Sequence, residues 1–406
     1  MASWKNEFAV RGIALLLAVV VPLVLVGLGC HEPGVADKQN ASVPARSDTV
    51  APASFETKLS DGSRLLDGSE AGEYVGDAVC ANCHKSIGHD YARTRHARTF
   101  RQVKLDEQGP FFRNGNAVKD DGLRYTYQAA MRGGKCVIVG ASVNQRGTLP
   151  ADYVLGAGRN ACTFLSAERP DSWVDLRISY YTQRRRWDFT PGQQPGDRIF
   201  KRAAGISQEG PLLPACLSCH VTYLRAGVSG PDIAGSHIGI GCERCHGPGR
   251  AHIEALGRSS GKPVDGSLAM ERYGKATPLR INALCGQCHH DEANSRDGDP
   301  KTENGLARFE GVALVRSRCF QESGALSCIT CHDSHKDASA DASQNEKRCL
   351  NCHSSAGAAP LHAGPAGKTC PVNKASGCIE CHMPAQTIAT IPYAKYHNHW
   401  IKVWKK

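Results

Sequence analysis

The chain has 406 residues and a formal charge of +10, with 41% hydrophobic but only 6% aromatic residues, 19 cysteines and 17 histidines. No nucleic-acid recognition motif accompanies the basic balance, so nucleic-acid binding is set aside. The low aromatic share does not suit a large side-chain core, and the cysteines and histidines demand the first explanation.

Lys5 and Arg11 precede an apolar run from Gly12 to Gly29 that ends at Cys30, the pattern of an export signal. Three fates are open for residues 1–30. Cleavage at Gly29–Cys30 leaves an acylated Cys30, although Gly27 stands where Leu is usual. Alternatively the 18-residue run stays as a helix at the lower limit for spanning a bilayer, a length that tolerates Pro22. Ordinary cleavage, the third fate, releases a soluble protein. Each exports the rest of the chain to the periplasm or cell surface, and the first two anchor it to a membrane. Residues 31–72, rich in Ala, Ser, Pro, Gly and charge without apolar periodicity, read as a flexible linker.

Cys80-Ala81-Asn82-Cys83-His84 opens a series of seven related pentapeptides. It continues with Cys216-Leu217-Ser218-Cys219-His220, Cys242-Glu243-Arg244-Cys245-His246 and Cys285-Gly286-Gln287-Cys288-His289. Cys328-Ile329-Thr330-Cys331-His332, Cys349-Leu350-Asn351-Cys352-His353 and Cys378-Ile379-Glu380-Cys381-His382 complete it. Cys-x-x-Cys-His is the attachment signature of c-type haem, and chance would supply on the order of 0.04 copies in this composition. The two thiols add across the vinyl groups of one porphyrin edge, and the adjacent histidine becomes the proximal iron ligand. A zinc ribbon pairs two Cys-x-x-Cys units and gives no reason for a histidine after each one. A redox dithiol occurs once, inside a βαβ pattern. The sequence therefore implies seven covalently bound haem c groups, numbered below as haems 1 to 7 in chain order.

Only the first motif, in a segment spanning 73–100, lies before residue 215. The stretch 101–210 must build something of its own. Val174, Leu176, Ile178 and Tyr180 alternate with Asp175, Arg177 and Ser179, the period of a half-buried strand. Leu123–Tyr127 and Cys136–Val139 also read as strands, with Gly133-Gly134 as a turn. This stretch is expected to be a small β-rich insertion between the first and second motifs. Arg184-Arg185-Arg186-Trp187 is a basic patch suited to steering an acidic redox partner, or else a solvated turn.

The remaining six motifs crowd into residues 216–382, within a hexahaem domain over 211–406. That leaves about 28 residues for each haem, too few for a conventional core. The expected fold is mainly α with much irregular structure wrapped around stacked haems. The second axial ligand then decides the chemistry: a haem with histidine on both faces carries electrons, whereas an open position permits reaction. Beyond the proximal set, His89, His96, His237, His252, His290, His335, His362, His397 and His399 are candidates, enough for bis-histidine ligation of every iron. His290 cannot serve the iron that His289 holds.

These residues resemble the multihaem c-type cytochromes that include pentahaem nitrite reductase, octahaem hydroxylamine oxidoreductase and related tetrahaem cytochromes. The resemblance covers 74–100 and 211–403. It rests on Tyr74-Val75-Gly76, Thr94-Arg95-His96-Ala97, Gly241–Gly249 with His252, and Ser317-Arg318-Cys319. It rests also on Cys331-His332-Asp333-Ser334-His335 and on Cys381-His382-Met383-Pro384 with His399. It implies that His96, His252, His335, His362 and His399 are distal ligands; His237 and His397 are added from position and count. The chain lacks the Cys-x-x-Cys-Lys haem of nitrite reductase. It also lacks the eighth haem and an assignable cross-linking tyrosine of hydroxylamine oxidoreductase.

Cys136, Cys162, Cys319 and Cys370 stand outside the motifs, and by position are expected to pair as Cys136–Cys162 and Cys319–Cys370. Haem propionates outweigh the ferric charge, which takes the net charge from +10 to about +3 oxidised and about −4 reduced. The leading expectation is an electron carrier working between redox partner proteins, a membrane quinol-linked donor or other cytochromes. A reductase or oxidase of small nitrogen or sulfur compounds with one open haem is the alternative. A filament-forming extracellular cytochrome is the second.

Overall fold

The computed structural model describes residues 65–195, 203–258, 270–290, 305–353, 369–388 and 391–404. The export segment, the linker up to residue 64 and His362 lie outside the described residues. Among the described residues no helix is long and apolar enough to cross a membrane.

Among the described residues the fold is mixed α/β, with 32% helix and 29% strand, and this overturns the expectation of a mainly α protein. One reason is that several motif-bearing helices are short: Cys328–Cys331 has four residues and Cys242–His246 five, enough to set two thiols and no more. A second is that strands are not confined to the insertion. Before it come β1 (Leu65–Leu66) and β2 (Phe100–Gln102), and within it β3 (Val118–Asp120), β4 (Tyr125–Arg132), β5 (Lys135–Ala141) and β6 (Arg146–Pro150). Then follow β7 (Tyr153–Leu155), β8 (Ala161–Arg169), β9 (Ser172–Leu176), β10 (Ile178–Tyr181), β11 (Arg186–Phe189) and β12 (Gly205–Glu209). The haem region adds β13 (Val221–Ala226), β14 (Pro231–Ile238), β15 (Ala385–Ile388) and β16 (Ile391–His397).

The sheet β3-β4-β5-β6 is a meander whose central hairpin pairs Arg132 with Lys135 across Gly133-Gly134. Both turn glycines take positive φ, 52° and 73°, which suits the twist of a tight two-residue hairpin. A seven-stranded sheet runs β11-β10-β8-β7-β2, with β9 joining β8 to β12. The two sheets share one core that includes Phe112, Tyr127, Ile138, Phe164, Leu176 and Trp187.

The alternating stretch at 174–180 is two strands rather than one, because β9 pairs with β8 and β12 whereas β10 pairs with β8 and β11. Val174, Leu176 and Ile178 enter the core as the alternation requires, but Arg177 and Ser179 are fully buried as well. Arg177 donates to the Asp120 carboxylate at 2.6 Å, and the Ser179 hydroxyl bonds those of Thr163 and Thr190. Partners on other strands make this burial tolerable. In the basic patch, Trp187 is core, its indole donating to the Phe111 carbonyl at 3.0 Å. Arg184 and Arg185 stay exposed in the β10–β11 turn, where the Arg184 guanidinium covers the Tyr393 ring.

Cys136, Cys162, Cys319 and Cys370 are free thiols, so the two expected disulfides are not made. Cys136 lies on β5 and Cys162 on β8, in different sheets, and burial pushes both thiols up. The Cys136 sulfur instead meets the Met131 thioether at 3.6 Å.

A second core joins insertion to haem region. Phe100, Leu165 and Trp173 from the large sheet pack with Leu213 and Leu217 of the helix Leu212–Leu217 and with Val221 and Leu224 of β13. That helix carries Cys216, so the second motif sits directly on the sheet.

Candidate metal centres

Each motif begins on or within a helix, and a spacing of three residues turns both thiols to one face. Two motifs close 12-residue helices, Pro278–His289 and Ala342–His353. The first of these starts at Thr277, whose side chain accepts from Arg280 N, with proline in the first turn.

Neighbouring motifs are tied by buried polar side chains that accept hydrogen bonds from the next motif's amides. Glu243, fully buried inside motif 3, accepts from Val75 N (2.9 Å), Gly76 N (2.8 Å) and Gly249 N (2.8 Å). Asp77 of the motif 1 helix answers by accepting from Cys242 N at 2.8 Å. Asn282 accepts from Cys328 N at 3.0 Å, joining motifs 4 and 5. Glu346 accepts from Gly377 N and Ile379 N at 3.2 and 3.1 Å, joining motifs 6 and 7. Each amide group lies at a helix start, where N–H groups have no partner within the helix and a carboxylate is favoured.

The thiols confirm these neighbours. Cys80 lies against Cys242, Cys285 against Cys328 and Cys219 against Cys288; the hydrogen bond with Cys288 holds Cys219 down to about 6. Cys245 lies within electrostatic reach of Cys285, Cys331 of Cys352, and Cys349 of Cys378. The motifs therefore follow the order 1–3–4–5–6–7 in space, with motif 2 beside motif 4.

The histidines come together in pairs. Ring centres lie 6.0 Å apart for His246 and His335, 6.1 Å for His289 and His96, and 6.2 Å for His332 and His399. An iron bound between two imidazoles by metal–nitrogen bonds of about 2 Å needs ring centres about 6 Å apart. The rings are also fixed from behind. His246 Nδ1 donates to the Glu271 carbonyl (2.7 Å) and His399 Nδ1 to that of His397 (3.0 Å). This sets the tautomer that leaves Nε2 for metal. Burial lowers the imidazoles of His96, His332 and His399, and takes His220 down to about 4, as suits neutral nitrogen ligands. The residues fit haem.

The loop bearing His96 is held by backbone contacts. Ile240 N donates to the His96 carbonyl at 3.1 Å, and Gly239 (φ 81°) lies so close that a Cβ would stand 2.4 Å from the Ala97 oxygen. Arg95 pairs with Asp337, two residues from His335.

The other candidates are placed differently. His237 Nε2 faces the Asp77 carboxylate at 3.4 Å; burial lowers this imidazole, but the ion pair outweighs it and holds it raised. His397 Nδ1 donates to the Met383 carbonyl beside motif 7, and His382 Nδ1 to that of Lys402. His252 lies half-buried on the helix Arg250–Arg258, His89 is exposed beside Asp90, and the His290 ring lies tilted against that of Phe309.

The ties themselves were not foreseen. A signal was there: Asp77, Asn282 and Glu346 each stand three residues before the first cysteine of their motif.

Thiol pairs on one helical face beside imidazoles spaced for iron are what covalent haem attachment requires, and here the arrangement repeats along the chain. This is a multihaem c-type cytochrome. Residues 79–133 and 193–247 match the family described as Cytochrome c554 and c-prime, to which these stretches of the chain are similar. The matched stretches hold the first three motifs and flank much of the strand-rich insertion. No curated protein matches the chain by sequence. Among solved structures it is similar to the outer cell wall cytochrome OcwA, at a TM-score of 0.46 and 16% identity over 81% of this chain and 80% of that one.

Proposed function

We propose that this is an exported heptahaem electron-transfer protein in which seven covalent haems form a conducting row. The three imidazole pairs at 6.0–6.2 Å carry the reading, because iron held between two histidines exchanges electrons without binding substrate. His335, His96 and His399 are the distal ligands of haems 3, 4 and 5. Electrons run along 1–3–4–5–6–7, with haem 2 joining at haem 4. The buried ties keep neighbouring porphyrins close, and a rigid spacing serves tunnelling. The N-terminal segment exports the protein and tethers it to a membrane through Cys30 or as a helix, and redox proteins supply and remove electrons.

EPR of the ferric protein tests this, together with haem counting by mass and by pyridine haemochrome. Seven haems, all low-spin, are expected. One high-spin iron in seven would replace the carrier with an enzyme having an open site.

A further inference from the structure

His289 differs from His220, His246 and His382 in what its second nitrogen meets. His246 and His382 donate from Nδ1 to backbone carbonyls, and His220 Nδ1 bonds the Thr99 hydroxyl, all neutral partners. His289 Nδ1 instead meets the Glu310 carboxylate at 3.4 Å. The contact is built into the backbone. Glu310 is the first residue of the helix Glu310–Val315, and Val312 N donates to the carbonyl of His290 at 2.9 Å. His290 takes positive φ (51°) directly after the helix that carries His289. Glu310 also lies within electrostatic reach of His399, while Arg308 stands near His289 as the nearby opposing charge.

We infer that Glu310 sets the redox potential of haem 4 by placing a negative charge on its proximal histidine. A carboxylate that accepts the outer N–H of a ligating imidazole makes the inner nitrogen a stronger donor, which favours Fe(III) over Fe(II). Glu310 takes no electron and yields no proton; it acts through His289 as a positioning residue. Haem 4 is the junction where haem 2 meets the row, so a low potential there makes it a briefly occupied step between the two arms. This rests on the electron-carrier reading above.

The test is potentiometric titration of the haem-loaded protein, followed by visible and EPR spectroscopy, for wild type, Glu310→Gln and Glu310→Asp. For Glu310→Gln one midpoint is expected to rise by a tenfold change in its oxidised-to-reduced ratio, about 59 mV for one electron. One low-spin ferric signal should change its g-values. Glu310→Asp, which keeps the charge one methylene further away, should shift in the same direction by less and serves if the Gln variant loads fewer haems. Unchanged midpoints and g-values in a fully loaded Gln variant overturn the inference. Failure of the carrier reading shows separately, as high-spin iron in the wild type.

Discussion

Glu243 offers the sharpest test of how motifs 1 and 3 are held together. Its carboxylate is fully buried and accepts three backbone N–H groups, from Val75 and Gly249 at Oε1 and from Gly76 at Oε2. Hydrogen bonds to a charged group contribute roughly 1.5–3 kcal/mol each, and a buried donor left without a partner costs about 1–3 kcal/mol. The three do not add fully, since water enters part of the space that a smaller side chain leaves. Glu243→Ala is therefore expected to destabilise the unit of motifs 1 and 3 by about 3–5 kcal/mol. Glu243→Gln retains one carbonyl oxygen for Val75 and Gly249 but turns an amide donor toward Gly76 N, so about 1–2 kcal/mol is expected. The assay is guanidinium unfolding at fixed pH, followed by the low-spin haem bands and near-ultraviolet circular dichroism, with midpoints compared at a common slope. If Glu243→Ala unfolds within 1 kcal/mol of wild type, on the order of one weak hydrogen bond, Glu243 is not the brace inferred here.

Three further outcomes follow from the geometry. His335→Ala should convert one low-spin haem to high-spin in EPR, whereas His237→Ala, whose Nε2 faces Asp77, should leave every spin state unchanged. Arg177→Met should destabilise the insertion by about 3–5 kcal/mol by stranding the buried Asp120 carboxylate, and Arg177→Met with Asp120→Leu should recover most of that loss in thermal unfolding. Burial raises the Asp175 carboxyl from 3.8 to about 7. The folded chain keeps this proton between about pH 4 and 7 while the unfolded chain has lost it, so stability should fall as pH rises through that window and level off above it. Asp175→Asn should flatten the slope, as read by denaturant midpoints at pH 5 and pH 7.5.

The local chemistry was legible in the residues. Cys-x-x-Cys-His is a strong local signal because two thiols and an imidazole at that spacing suit the two vinyl groups and the iron of one haem. The hairpin at Gly133-Gly134 was also legible, since positive φ at both turn residues and the flanking β-branched residues point the same way. The fold class was misread where locality fails. Strands such as β13 and β14 lie among haem motifs, and the motif count suggested helices there. Arg177 looked solvent-facing because alternation reports one sheet, whereas its partner Asp120 comes from a strand 57 residues earlier.

By itself the sequence marked seven motifs suited to covalent haem attachment and the histidines that stand beside them, because that signal rests on residue type and short spacing. Only the tertiary structure decided which motifs are neighbours and which imidazoles face one another. It alone placed Glu310 behind His289. The ties between motifs 1 and 3 link residues 165–168 positions apart, and no local pattern specifies which distant amide a carboxylate will meet.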